Sequence, residues 1–147
     1  PLREPISRFR SVDIRVRRGG SARSGEYVIE PRLGAARNLV TGEEVSLDLF
    51  RDQSPAAIAG IHRPERFFEM LAEEGLTVTE YSFADHHQFS PDDLPANTTV
   101  LMTEKDSVKC ASFADNNWWS VALFTEVPEM LIDELEGLLG KNSLSLK

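Results

Sequence analysis

The chain has 147 residues, 41% hydrophobic and 27% charged, a balance that excludes a disordered tail and describes a soluble globular protein able to bury a core. No apolar run approaches the roughly eighteen residues that span a bilayer, and no basic-then-apolar leader opens the chain. The net charge of -8 is uneven: seven Arg oppose only Glu4 and Asp13 in residues 1–23, so a basic end precedes an acidic body, which argues against nucleic acid as a partner.

That basic end is either a solvated Arg face or a surface that meets phosphates or an anionic membrane. Its opening, Pro1-Leu2-Arg3-Glu4-Pro5, has no Met and reads as the interior of a longer protein. The single Cys110 has no partner for an internal disulfide, which suits a reducing, cytosolic setting.

In chain order, residues 12–16 alternate Val12, Ile14 and Val16 with Asp13 and Arg15, the period of a strand with one face in water. Gly19-Gly20 ends it. Residues 27–29 and 45–47 read as two further strands joined through 31–42, forming a small ribbon with little core of its own that needs a partner. From residue 53 strands alternate with helices. An apolar run at 56–61 ends at a Gly turn, and Pro64 opens a helix over 64–74 that buries Phe67, Phe68 and Leu71 and stops at Gly75. A strand over 76–81 leads to a His-bearing loop at 82–90, then a helical turn from Pro91. A strand over 98–102 precedes a helix capped by Thr103, with Asp106 completing a capping box. A strand over 118–124 and a helix over 128–139, with Leu131, Leu135 and Leu138 on one face and Gly140 as its stop, close the chain. The alternation predicts an α/β fold: a Rossmann-like, mainly parallel sheet with flanking helices.

Ligands of such sheets collect beyond the carboxyl ends of the strands. Three segments emerge there: Gly60-Ile61-His62-Arg63, residues 84–89, and Thr103 to Lys105. Asp85-His86-His87 is the densest titratable group. Histidine shuttles protons near neutral pH, and a neighbouring carboxylate orients it. The same tripeptide also fits a polar loop that satisfies local backbone groups. A metal site is disfavoured because His62 is the only other histidine and no second cluster appears. The chain has no G-x-x-x-x-G-K-[ST] loop to cradle phosphate and no G-x-S-x-G elbow. Cys110, inside a predicted helix, is poorly placed as a nucleophile. Lys105 has two readings, a surface residue of the capped turn or a cation that approaches an anionic group.

Several strings, taken together, resemble the tetraacyldisaccharide 4'-kinase family: Pro1-Leu2-Arg3-Glu4-Pro5, Ala57-Ile58-Ala59-Gly60-Ile61 with Pro64-Glu65-Arg66-Phe67-Phe68, Phe83-Ala84-Asp85-His86-His87-Gln88-Phe89, and Met102-Thr103-Glu104-Lys105-Asp106-Ser107-Val108-Lys109-Cys110. The resemblance implies an ATP- and Mg²⁺-dependent lipid kinase acting on the 4' position of tetraacyldisaccharide 1-phosphate in lipid A biosynthesis, peripheral on the cytoplasmic face of a Gram-negative inner membrane. It implies that residues 1–24 end an N-terminal P-loop domain and contribute its leftover strand. Residues 25–52 then form a two-stranded β linker, and 53–147 a C-terminal Rossmann-like domain. By the same resemblance His86, with Asp85, is catalytic and pairs with an Asp of the other domain, while Arg3 and Glu4 approach the substrate or Mg-ATP. No metal is expected on this segment, and the segment alone is expected to be inactive. His62-Arg63 stand where the family more often has smaller residues. The reading that competes with the kinase is a stand-alone Rossmann-like module binding an anionic ligand without chemistry; a metal-dependent phosphoesterase is a third.

Overall fold

A computed structural model describes residues 5–143, so Arg3 and Glu4 lie outside the described residues. The chain forms two compact units, one of residues 1–31 and 125–147, the other of residues 32–124.

The second unit carries a mainly parallel sheet. Its strands are the later part of β2 (Tyr27–Asn38), β3 (Glu44–Val45), β4 (Ala56–Ala59), β5 (Thr79–Ser82), β6 (Val100–Thr103) and β7 (Trp118–Glu126). Along the sheet the order is β2, β7, β6, β4, β5, with β3 paired to β2. β4 is parallel to both β5 and β6, and β6 is parallel to β7. From β4 the chain moves outward to β5 and then returns to the other side of β4 as β6. The strand order therefore reverses between β4 and β6, the switch point at which a parallel sheet opens a crevice.

Strand residues alternate between two cores, as the pleat requires. Ala57, Ala59, Leu101 and Val121 face a cluster completed by Phe67, Phe68, Met70 and Leu71 of α1 (Glu65–Glu73). Ala56, Ile58, Val100 and Met102 face another completed by Phe89, Leu94 and Cys110, the last on α2 (Glu104–Cys110). All four β4 residues are buried, which is why that strand reads as an unbroken apolar run.

The ends of α1 and the start of α2 follow the predicted chemistry within a residue or two. α1 closes at Gly75, whose φ of 84° is the left-handed conformation of a helix stop. The N–H of Leu76 bonds the carbonyl of Leu71 at 3.0 Å. That bond commits Leu76 to the helix end, so β5 begins at Thr79 rather than at 76.

The ribbon expected over 27–47 has the partner that its small core requires. β2 runs for twelve residues and pairs antiparallel with only two residues of β3, Ala36 with Val45 and Arg37 with Glu44. β2 also lies beside β7, with Leu33 and Ala36 turned into the core. Gly34 permits the approach: a Cβ there would sit 3.3 Å from the Cβ of Ala122.

The first unit holds a 3-10 helix (Ile6–Arg10), β1 (Val16–Arg18) paired in parallel with Tyr27–Ile29 of β2, and α3 (Glu129–Ser143). The alternating face expected from residue 12 stays largely in water, since Val12 and Val16 are exposed. The final helix continues through Gly140, which lacks the positive φ of a helix stop. Of the three leucines placed on one face, Leu131 is buried and Leu135 exposed.

Candidate functional site

All three segments expected beyond the strand ends come together, and the switch point is where they meet. The Gly60 N–H, just after β4, donates to Asp106 Oδ2 at 2.8 Å. A Cβ on Gly60 would stand 3.1 Å from the Phe89 ring and 3.2 Å from Asp106 Oδ1. The backbone after β4, the loop after β5 and the helix after β6 are thus in direct contact.

Thr103 caps α2 as predicted, its Oγ accepting the Asp106 N–H at 3.2 Å. The reciprocal half of the box is altered. Asp106 is fully buried, and its carboxylate receives Gly60 N–H, the Thr103 hydroxyl (2.8 Å) and Lys109 Nζ (2.9 Å). An Asp is one methylene shorter than the Glu of a standard box, which leaves its carboxylate free to serve the neighbouring strand end. Lys109 Nζ also lies 5.3 Å from the centroid of Phe89.

The two histidines of residues 84–90 have opposite environments. His87 is partly buried, stacked against Phe83 at 4.7 Å and meeting Phe89 edge-on at 4.9 Å. Its Nε2 is 3.3 Å from Asp93 Oδ2. Asp93 also accepts the N–H and the hydroxyl of Ser90, and these bonds, with His87 adding to them, hold its carboxyl below the usual range. His87 is therefore a wall of the loop. His86 has a φ of 64° and a side chain 77% exposed. The ring stands in solvent, with Nε2 3.6 Å from Asp85 Oδ2.

Asp85 has a partner that local sequence reasoning missed. Lys105 Nζ reaches Asp85 Oδ1 at 2.8 Å, the same oxygen that accepts the His86 N–H at 3.1 Å. The Lys105 hydrogen bond is the largest influence holding the Asp85 carboxyl below its ordinary value. Lys105 is thus an ion-pair partner and not only a surface residue. On the neighbouring turn Arg63 adopts φ 61°, a strained choice for a bulky side chain. Arg3 and Glu4, the other two candidates, lie outside the described residues.

Cys110 is buried on α2. Burial, with Asp106 adding to it, pushes its thiol up to about 11. Its thiolate fraction at pH 8 is on the order of 10⁻³. In the folded protein, iodoacetamide at pH 8 is expected to leave Cys110 unmodified for hours, while urea-unfolded chain is alkylated in minutes; fast labelling of the folded form would contradict the burial.

Among the described residues, no group of three or more His, Cys, Asp or Glu side chains converges to hold a metal ion. No helix among them is long and apolar enough to cross a membrane.

Residues 1–140 match the family model described as tetraacyldisaccharide-1-P 4'-kinase. A tetraacyldisaccharide 4'-kinase of Alcanivorax borkumensis is 41% identical over 146 residues, covering 96% of this chain and 44% of that protein. The enzyme of the same name from Thiobacillus denitrificans is 46% identical over 137 residues, covering 88% and 41%. A crystal structure of LpxK from Aquifex aeolicus in complex with ATP shares the fold with a TM-score of 0.64 at 23% identity, over 92% of this chain and 45% of that one. The chain therefore spans less than half the length of the relatives it matches. On the family match, it belongs to the tetraacyldisaccharide-1-P 4'-kinase family.

Proposed function

We propose that this chain is the C-terminal part of an ATP-dependent lipid kinase that phosphorylates the 4'-hydroxyl of tetraacyldisaccharide 1-phosphate in lipid A biosynthesis. The observation that carries the site assignment is the outward His86 ring beside an Asp85 carboxylate fixed by Lys105, at the carboxyl ends of a parallel sheet. In this reading residues 1–24 end the nucleotide-binding domain, 25–52 link the domains, and 53–147 form the C-terminal domain. The Arg-rich first segment suits an anionic surface, which supports a peripheral position on the cytoplasmic face of a Gram-negative inner membrane.

Phosphoryl transfer asks a protein mainly to position groups and stabilise charge, with one residue aligning the attacking oxygen. His86 is suited to that single task. Its ring nitrogen accepts a proton, directly or through an Asp of the other domain, while Asp85 restrains the ring. ATP and Mg²⁺ are requirements of the proposed reaction, but the described residues do not fit either group. No metal-binding cluster converges there, and the sequence holds no phosphate-cradling loop. Both are assigned to the N-terminal P-loop domain, where Arg3 and Glu4 would approach the substrate or Mg-ATP.

The test is direct. The intact protein carrying this segment, given ATP, Mg²⁺ and tetraacyldisaccharide 1-phosphate, is expected to yield the 4'-phosphate by mass spectrometry, and residues 1–147 alone to yield none. An intact protein that binds the disaccharide phosphate without turnover would favour an anion-binding module. Turnover by residues 1–147 alone would refute the division of labour.

A further inference from the structure

We propose that Lys105 is the positioning residue of the His86 site: by holding one oxygen of Asp85, it fixes the carboxylate that in turn sets the His86 ring. The inference rests on the reading of His86 as the proton-handling group.

The geometry runs in one direction. Asp85 Oδ1 is shared by Lys105 Nζ at 2.8 Å and the His86 N–H at 3.1 Å, and the other oxygen faces His86 Nε2 at 3.6 Å. One oxygen is thereby committed and the other is aimed. Without Lys105 only the weak, adjacent backbone bond would restrain the Asp85 side chain, and the carboxylate would be free to rotate.

The lysine is itself well anchored at its base. It lies in the first turn of α2, whose start is fixed by the Thr103 cap and by the buried Asp106 bond to Gly60. The foundation is the end of the central strand, and the lysine reaches from it across to the loop after β5. His87 is tied to Asp93 and two aromatic rings, so the loop has a rigid wall on one side and the Lys105 tether on the other. Lys105 and Asp85 side chains are 46% and 41% exposed, and pairs of that kind add little to stability. A contact of small energetic value that nonetheless fixes a catalytic neighbour has its effect on geometry, and displacement of a reacting group by about an ångström can lower a rate by up to about 10².

The experiment uses the intact kinase. Lys105→Met is expected to lower kcat on the order of tenfold, with KM for both substrates within about twofold, and Lys105→Arg, which restores the ion pair, to recover most of the loss. In a His86→Asn background Lys105→Met is expected to change kcat by less than about twofold, because coupled residues do not add. Selective ¹⁵N-histidine NMR supplies a readout independent of turnover: the His86 ring signal, assigned by its loss in His86→Asn, is expected to shift or broaden in Lys105→Met. If His86→Asn abolishes activity but Lys105→Met leaves kcat and the ring signal unchanged, Lys105 is not the positioning residue while the kinase reading stands. If the ring signal responds but His86→Asn retains near-normal kcat, the coupling exists and the assignment of His86 to the reaction fails. An equal loss from Lys105→Met with and without His86 would show that Lys105 acts by another route.

Discussion

His86→Asn in the intact kinase is expected to lower kcat by roughly 10² or more, the scale of a positioned general acid–base group, equivalent to about 2.7 kcal/mol of activation free energy. Asparagine is the informative substitution because His86 sits at φ 64°. Asparagine tolerates the left-handed region and alanine does not do so as readily, so the Asn variant separates loss of the ring from strain in the loop. The exposed ring makes few packing contacts to lose. A large fall in kcat with an unchanged unfolding midpoint would therefore report chemistry. KM for the disaccharide is expected to stay within a few-fold, since a proton-handling group acts mainly in the transition state. The neighbouring histidine is the contrast. His87 bridges Phe83, Phe89 and Asp93, so His87→Ala is a packing change first. Near-normal kcat in His86→Asn would remove this ring from the mechanism.

The division between these two histidines is not legible in the sequence. In the string Asp85-His86-His87 both rings are equivalent candidates, and only the resemblance to a kinase family favoured His86. What separates them is a backbone turn: residue 86 has a positive φ and an exposed ring, while the next packs inward. Local composition does not say which residue makes that turn, because Asp and His are both types that reach positive φ more often than most, and the string holds three of them in a row. The Lys105–Asp85 pair was likewise hidden, since its members are twenty residues apart on different elements. Local signals fared better. The Thr103 cap, the Gly75 stop and the unbroken apolar β4 each follow from short-range chemistry, and each is present. Sheet membership did not follow in the same way. The extent of β2 depends on its packing beside β7, and the continuation of α3 past Gly140 reflects that a glycine permits a stop without imposing one.

Asp106 is expected to give the largest stability effect in the second unit. Asp106→Ala should destabilise the chain by about 3–5 kcal/mol, the range for removing one partner of a buried ion pair. The substitution strands three donors together: the Gly60 N–H, the Thr103 hydroxyl and the Lys109 ammonium, whose side chain is only 19% exposed. Asp106→Asn keeps the volume and an acceptor for Gly60, and should lose about 1.5–3 kcal/mol, the scale of hydrogen bonds to a charged group. Urea unfolding followed by Trp118 and Trp119 fluorescence would order the three proteins as parent, Asn, Ala. The decisive comparison adds Lys109→Met to Asp106→Ala. If the loss comes mainly from leaving an ammonium against Phe89 without its counter-charge, removing that ammonium should restore part of it. If the double variant is as unstable as the sum of the singles, the weight lies instead on the bonds from the Gly60 N–H and the Thr103 hydroxyl, which join β4 and the start of α2 at the switch point.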